Sequence, residues 1–206
     1  FFVSPKILPG RTAPVCELDE NKSNRYIAEL IVVENSPLIG EEHIIEYAEE
    51  HLGLSVIEVF RNGNIFDPVR SPVTIKQEDI LLVKGSAEDI VSSLKKQILE
   101  LAHGEEDLAF GQGVKDDLII ELIVPPMSGL LREKLLSTEL QNDPEIKIIA
   151  IRSRRHHYSY RKITTVKLKV GDTILVRCPR EKISKIRNSN EFIVVEDIHH
   201  SMIDTE

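Results

Sequence analysis

The stretch "ELIVVENSPLIG", residues 29–40, decides how the rest of the chain is read, because "ELIVPPMSGLLR" follows at residues 121–132. Each is a β-rich apolar run that ends in a turn built on serine. Setting Glu29 on Glu121, an offset of 92, puts Leu30-Ile31-Val32 on Leu122-Ile123-Val124, Ser36 on Ser128 and Leu38 on Leu130. The same offset puts Val56-Ile57-Glu58-Val59 on Ile148-Ile149-Ala150-Ile151. With one inserted residue, Asp79-Ile80-Leu81-Leu82-Val83 meets Asp172-Thr173-Ile174-Leu175-Val176, and Glu88-Asp89-Ile90 meets Glu181-Lys182-Ile183. Matches in order and at nearly constant spacing are the mark of an internal repeat. They predict an α+β chain made of two copies of one small β/α module.

In the first copy the pattern predicts a strand over 27–33 and a helix over 41–52. Ile44, Ile45, Ala48 and Leu52 share one face of that helix, and two glutamates fall in its first turn. A strand at 55–61 runs into the hairpin signal "NGN", 62–64, where Asn and Gly tolerate positive φ. A short strand at 80–83 precedes a helix from Ala87 to Leu94. The second copy predicts strands at 118–124, 146–152, 163–168 and 173–177, with helices near 130–140 and at 180–186. These boundaries divide the chain into an N-terminal segment (1–25), a first module (26–96), a linker (97–116), a second module (117–187) and a C-terminal tail (188–206).

Composition narrows the function. Of 206 residues, 41% are hydrophobic and 29% charged, the balance of a folded chain. Tryptophan is absent, so the cores rest on Ile, Val and Leu. Cys16 and Cys178, two cysteines far apart in sequence, give neither a disulfide framework nor a metal-ligand spacing, and a reducing compartment is the simpler reading. No apolar run is long enough to span a bilayer. "FFVSPKILPGRTAP", 1–14, opens apolar without a signal peptide's charged start. It reads as a frayed end or as the stub of a membrane helix that leaves the bilayer at Pro9-Gly10-Arg11.

The order strand, Ser36-Pro37-Leu38-x-Gly40, helix, "VIEVFRNG", Pro68, "DILLVKG" resembles the TrkA C-terminal domain, the small RCK_C module of potassium channels, potassium uptake systems and several transporters. The resemblance covers both copies, about 27–94 and 118–186. The second departs from it at Gly129, Arg132 and Cys178, where the first has Pro37, Gly40 and Gly85. A Rossmann partner is missing; Gly111-Gln112-Gly113 is a lone G-x-G in the linker. Tandem copies without that partner are similar to the cytosolic insert of sodium-coupled permeases of the divalent anion symporter type, whose membrane helix ends much like "ILPGR", 7–11. The aspartate–alanine antiporter type also carries such a pair.

What the resemblance implies is a non-catalytic regulatory pair on the cytoplasmic face of a membrane transporter, acting as a homodimer. It also implies a small effector such as cyclic di-AMP, with Arg61, Asn62 and Pro68 near the binding cleft and Arg152 and Arg154 as their counterparts. A free-standing subunit of a potassium channel or uptake system is the alternative. The residues agree in finding no catalytic set. Ser128 has no G-x-S-x-G frame, and Cys178 has no nearby cue for activation. His156-His157 and His199-His200 are adjacent pairs, whose members point to opposite faces of a strand. His43 and His51 are too far apart on a helix to share a metal. Charge divides unevenly: residues 26–94 carry 13 acidic against 4 basic groups, and 117–186 carry 8 against 14. Arginines beside aromatics in "RSRRHHYSYRK", 152–162, suit an anionic ligand, but a chain net charge of −8 opposes general nucleic-acid binding. The sign difference predicts that the acidic and basic copies face each other, within a chain or across a dimer.

Overall fold

The structure is a computed structural model that describes residues 25–102, 117–153 and 163–197. Its backbone is one mixed α+β unit dominated by a sheet. Strands β1 (Tyr26–Val32), β2 (Ser55–Arg61), β3 (Asn64–Phe66), β4 (Ile80–Gly85) and β5 (Leu99–Leu101) belong to the first half. Strands β6 (Asp117–Ile123), β7 (Lys147–Arg152), β8 (Thr173–Pro179) and β9 (Ile193–Asp197) belong to the second. Their order is β3-β2-β4-β1-β7-β8-β6-β9, with β5 beside β1 and the described pairings antiparallel. The halves meet where β1 runs beside β7, at the backbone pair Ile27–Ile151.

Side chains alternate across a strand, and that alternation lets each half lend residues to the other's core. Leu30, Leu81 and Val83 pack under helices α1 (Ile44–Leu52) and α2 (Ala87–Lys95), joined there by Ile119, Ile149 and Leu175 from the second half. Leu122, Ile174 and Val176 pack with Leu140 of α3 (Glu139–Asn142) and Ile186 of α4 (Arg180–Asn188), joined by Ile27 and Leu82 from the first. The two helix pairs therefore lie over opposite faces of one sheet.

Local hydrogen bonds recur between the halves. Val32 N–H donates to Asp79 O and Val124 N–H to Asp172 O, both at 2.9 Å. Gly40 N–H donates to Ile75 O, and Arg132 N–H to Leu168 O, again at 2.9 Å. The β2–β4 and β7–β8 ladders each slip once, between Val56 and Glu58 and between Ile148 and Ala150. Arg132 holds a positive φ of 72° where Gly40 holds 87°, so the second half keeps the turn while giving up the residue best suited to it.

Several elements differ from the sequence expectation. The helix expected at 41–52 begins only at Ile44, because Glu41 turns its carboxylate onto His43 N–H at 2.8 Å. Glu46 is consequently the single acid in its first turn. The helix expected near 130–140 is reduced to a 3₁₀ turn at Leu135–Ser137 and the short α3. Thr138 explains part of this, since its hydroxyl donates to Leu135 O at 2.7 Å and competes with helix propagation. The strand expected at 163–168 is a 3₁₀ turn at Ile163–Thr165 and a lone bridge between Lys134 and Lys167. The linker stretch 97–116 contains β5, and the tail 188–206 contains β9, which pairs with β6. Both follow a helix closely and were too short to stand out in the sequence. Residues 1–24 of the N-terminal segment, Cys16 among them, the G-x-G at 111–113 and both histidine pairs lie outside the described residues.

Candidate functional site

Arg61 ends β2 and faces Asp79, which is fully buried just before β4. Its Nε donates to Asp79 Oδ1 and its Nη2 to Asp79 Oδ2, each at 2.5 Å, while Nη2 also reaches Thr74 O at 2.8 Å. The guanidinium stacks 5.5 Å from the Phe66 ring centre. Asp79 Oδ2 accepts a further bond from Lys76 N–H. Hydrogen bonding to the carboxylate raises the Arg61 pKa still further above its ordinary value. A fork-on-fork pair of this kind fixes geometry as well as charge. Arg61 is committed inward, as a structural bolt between β2 and the turn before β4.

The other expected site residues stand elsewhere. Asn62 and Gly63 form the two-residue hairpin turn, with φ of 49° and 80°, as the mirror-image turn type requires. Asn62 is exposed. Pro68 lines a 380 Å³ cleft between the start of α1 and the 67–72 loop, with Glu42, His43, Glu46, Val69 and Arg70. Arg152 lies three strands from Arg61, about 14 Å across the sheet, and at the other end of the strands: Arg61 is level with Val32 of β1 and Arg152 with Tyr26, roughly 20 Å further along. It sits 4.9 Å from the Tyr26 ring centre and 3.8 Å from Glu121 Oε2. Arg154 lies outside the described residues. The structure brings Arg61 near the hairpin that carries Asn62, but it does not gather Arg61, Pro68 and Arg152 into one pocket.

The junction between the halves holds polar groups that the sequence did not single out. The Tyr26 hydroxyl donates to Glu121 Oε1 at 2.5 Å, and burial together with this bond raises the tyrosine's pKa well above its ordinary range. Reciprocally, Ile163 N–H donates to Glu29 Oε1 at 2.6 Å. Glu29 and Glu121 are the very residues that set the repeat offset, and each reaches into the opposite half. Their recurrence as the one acid inside each of two matched apolar runs was the available signal.

The second half carries the other polar cluster. Lys182 on α4 contacts Asp143 Oδ2 at 2.8 Å and Glu145 Oε2 at 2.5 Å. These bonds raise the lysine's pKa, and the lysine lowers that of Asp143. Glu191 Oε2 accepts from Ser128 Oγ at 2.8 Å and from Gly129 N–H at 2.7 Å. Cys178 is fully buried, and burial pushes its thiol up to about 11, the state of an inert packing residue. Among the described residues no group of three or more His, Cys, Asp and Glu side chains is placed to hold a metal.

No family model matches the chain, and no solved structure matches it. The chain is similar to an uncharacterized transporter of Synechocystis sp. (strain ATCC 27184 / PCC 6803 / Kazusa), 24% identical over 178 residues. The match covers 84% of this chain but 29% of that protein, so the chain spans under a third of its relative's length. Among the described residues no helix is long and apolar enough to cross a membrane. The chain is similar to a segment of a transporter.

Proposed function

We propose that this chain is the regulatory portion of a membrane ion transporter, a pair of TrkA C-terminal-type modules at 26–96 and 117–187 that does no chemistry of its own. The observation that carries the reading is the transporter match, which takes in most of this chain and a minor part of the relative. The recurring turn bonds and the bulges at matched positions favour two copies of one module. The sodium-coupled anion permeases and related cation or potassium systems are the transporters that the sequence resemblance suggests, with the pair on the cytoplasmic face. A homodimer, and a small anionic effector such as cyclic di-AMP, belong to the same proposal. An effector that prefers one arrangement of the modules shifts their equilibrium by its difference in affinity, and so biases the attached membrane domain.

In-frame removal of codons 25–197 in cells that carry the protein tests this reading. The expected result is a shortened polypeptide that still inserts in the membrane at normal abundance but transports without regulation. Finding no residual membrane polypeptide, because the chain is its own reading frame, would favour a free-standing regulatory subunit.

A further inference from the structure

The two halves treat one matched helix differently. In the first half, α1 runs nine residues, and Ile44 at 1% exposure and Ala48 at 1% close over Leu38, Leu54 and Leu99. In the second half the matched segment is unwound into the 3₁₀ turn and the four-residue α3. Ala48 is answered by the buried Leu140, but Ile44 is answered by Leu136, which is 50% exposed. The helix that should roof Leu130, Ile146 and Phe192 is cut short. A pocket of 330 Å³ opens there between α3 and α4, roughly twice the ~150 Å³ cavity that accepts a benzene ring.

The floor of this pocket is apolar: Leu130, Leu140, Ile146, Ile186 and Phe192. Its rim carries Glu139, Asp143 and Glu191 against Lys182 and Lys185. The bonds of Lys182 to Asp143 and Glu145 satisfy that cation and add a further negative charge beside the rim. Glu191 uses only Oε2 on Ser128 and Gly129, which leaves Oε1 free, and Glu139 makes no side-chain hydrogen bond among the described residues. Three carboxylate oxygens thus stand open over an apolar floor in a field that is negative on balance. For an anion, Lys185 is the one lining cation not already held between carboxylates.

We propose that this pocket binds a small organic ammonium ion, its apolar body on Phe192 and Ile186 and its N–H groups on Glu139 and Glu191. Burying the apolar part and pairing a cation at the edge is how compact sites combine affinity with orientation. The site depends on the geometry of the second half and stands whether or not the chain is joined to a transporter.

The test uses the whole 206-residue protein with hexylammonium as probe and hexanoate as its charge-reversed match, followed by methyl NMR and calorimetry. Binding of hexylammonium with a millimolar Kd, shifting the methyls of Leu130, Leu140, Ile146 and Ile186, is expected. Glu139→Lys, at an exposed position that leaves the fold intact, weakens it about five-fold, and Lys185→Ala strengthens it about two-fold. Hexanoate binding as tightly as hexylammonium overturns the proposal. So do shifts confined to other parts of the molecule, indifference to both substitutions, or the absence of any shift at tens of millimolar probe.

Discussion

Replacing Arg61 by alanine leaves the Asp79 carboxylate fully buried with Lys76 N–H as its remaining donor among the described residues. Removing one partner of a buried ion pair costs about 3–5 kcal/mol, because the other charge stays uncompensated. The Arg61 side chain is itself 22% exposed, so water reaches the gap and the lower end, about 3 kcal/mol, is expected. For a chain of this size each kcal/mol moves Tm by about 2–4 °C, which gives a fall of roughly 6–12 °C by circular dichroism. Arg61→Lys should fall in between, since a single ammonium cannot reproduce the planar fork. Adding Asp79→Asn to Arg61→Ala removes the stranded charge and should recover part of the loss, a non-additivity that a double-mutant cycle reads directly. Arg61→Ala within about 0.5 kcal/mol of the parent would refute the assignment of Arg61 as a bolt. The same arithmetic bears on ligand binding: lost affinity in Arg61→Ala reports on folding as much as on contact, so Asn62→Ala is the cleaner probe.

Gly129→Pro restores the first half's proline but deletes the N–H that Glu191 accepts and places ring atoms where a Cβ already stands 3.2 Å from Glu191 Oε1. A loss of about 1–3 kcal/mol is expected in urea melts, largely absent when Glu191 is already alanine. Gly85→Ala puts a Cβ 2.5 Å from Leu54 Cδ2 and should cost about 1–3 kcal/mol by overpacking. The reverse change at the matched site, Cys178→Gly, should destabilise by opening a void, and stability gained in either variant would contradict the packing. Cys178 keeps its proton in the folded state to about 11, against 9.0 when unfolded. Stability present below pH 9 is therefore lost between 9 and 11, on the order of 2–3 kcal/mol at ~1.4 kcal/mol per pH unit. Cys178→Ala should flatten that part of the alkaline profile, and an unchanged slope would sink the attribution.

Strands were legible where an apolar run of about four residues met a turn signal, as at Leu30–Val33 or Ile80–Val83, because burial on both faces writes itself as unbroken Ile, Leu and Val. The short strands β5 and β9 were not, since three to five residues behind a helix carry too little pattern. The second half's first helix was overread: "LLREKLLSTELQND" has helical spacing, but Thr138 turns its hydroxyl onto the backbone and the segment breaks in two. The candidate site was legible only in part. "RNG" located the hairpin, and Asp79 stood in the repeat, yet nothing in one dimension paired Arg61 with it across 18 positions. The junction bonds of Tyr26, Glu29 and Glu121 depend on β1 lying beside β7, a fact of topology that local sequence does not encode. The charge contrast between the halves suggested opposed ionic surfaces, within a chain or across a dimer. Within the chain, the described junction joins strand to strand through Ile27 and Ile151, with Tyr26–Glu121 and Glu29–Ile163 beside them.

The measurement that bears most directly on the central claim is an immunoblot of carbonate-washed membranes, using an antibody raised against this chain. Attachment to a transporter predicts a band well above the chain's own 23.4 kDa that stays with the membrane pellet. A band near that mass, released into the wash, would contradict it.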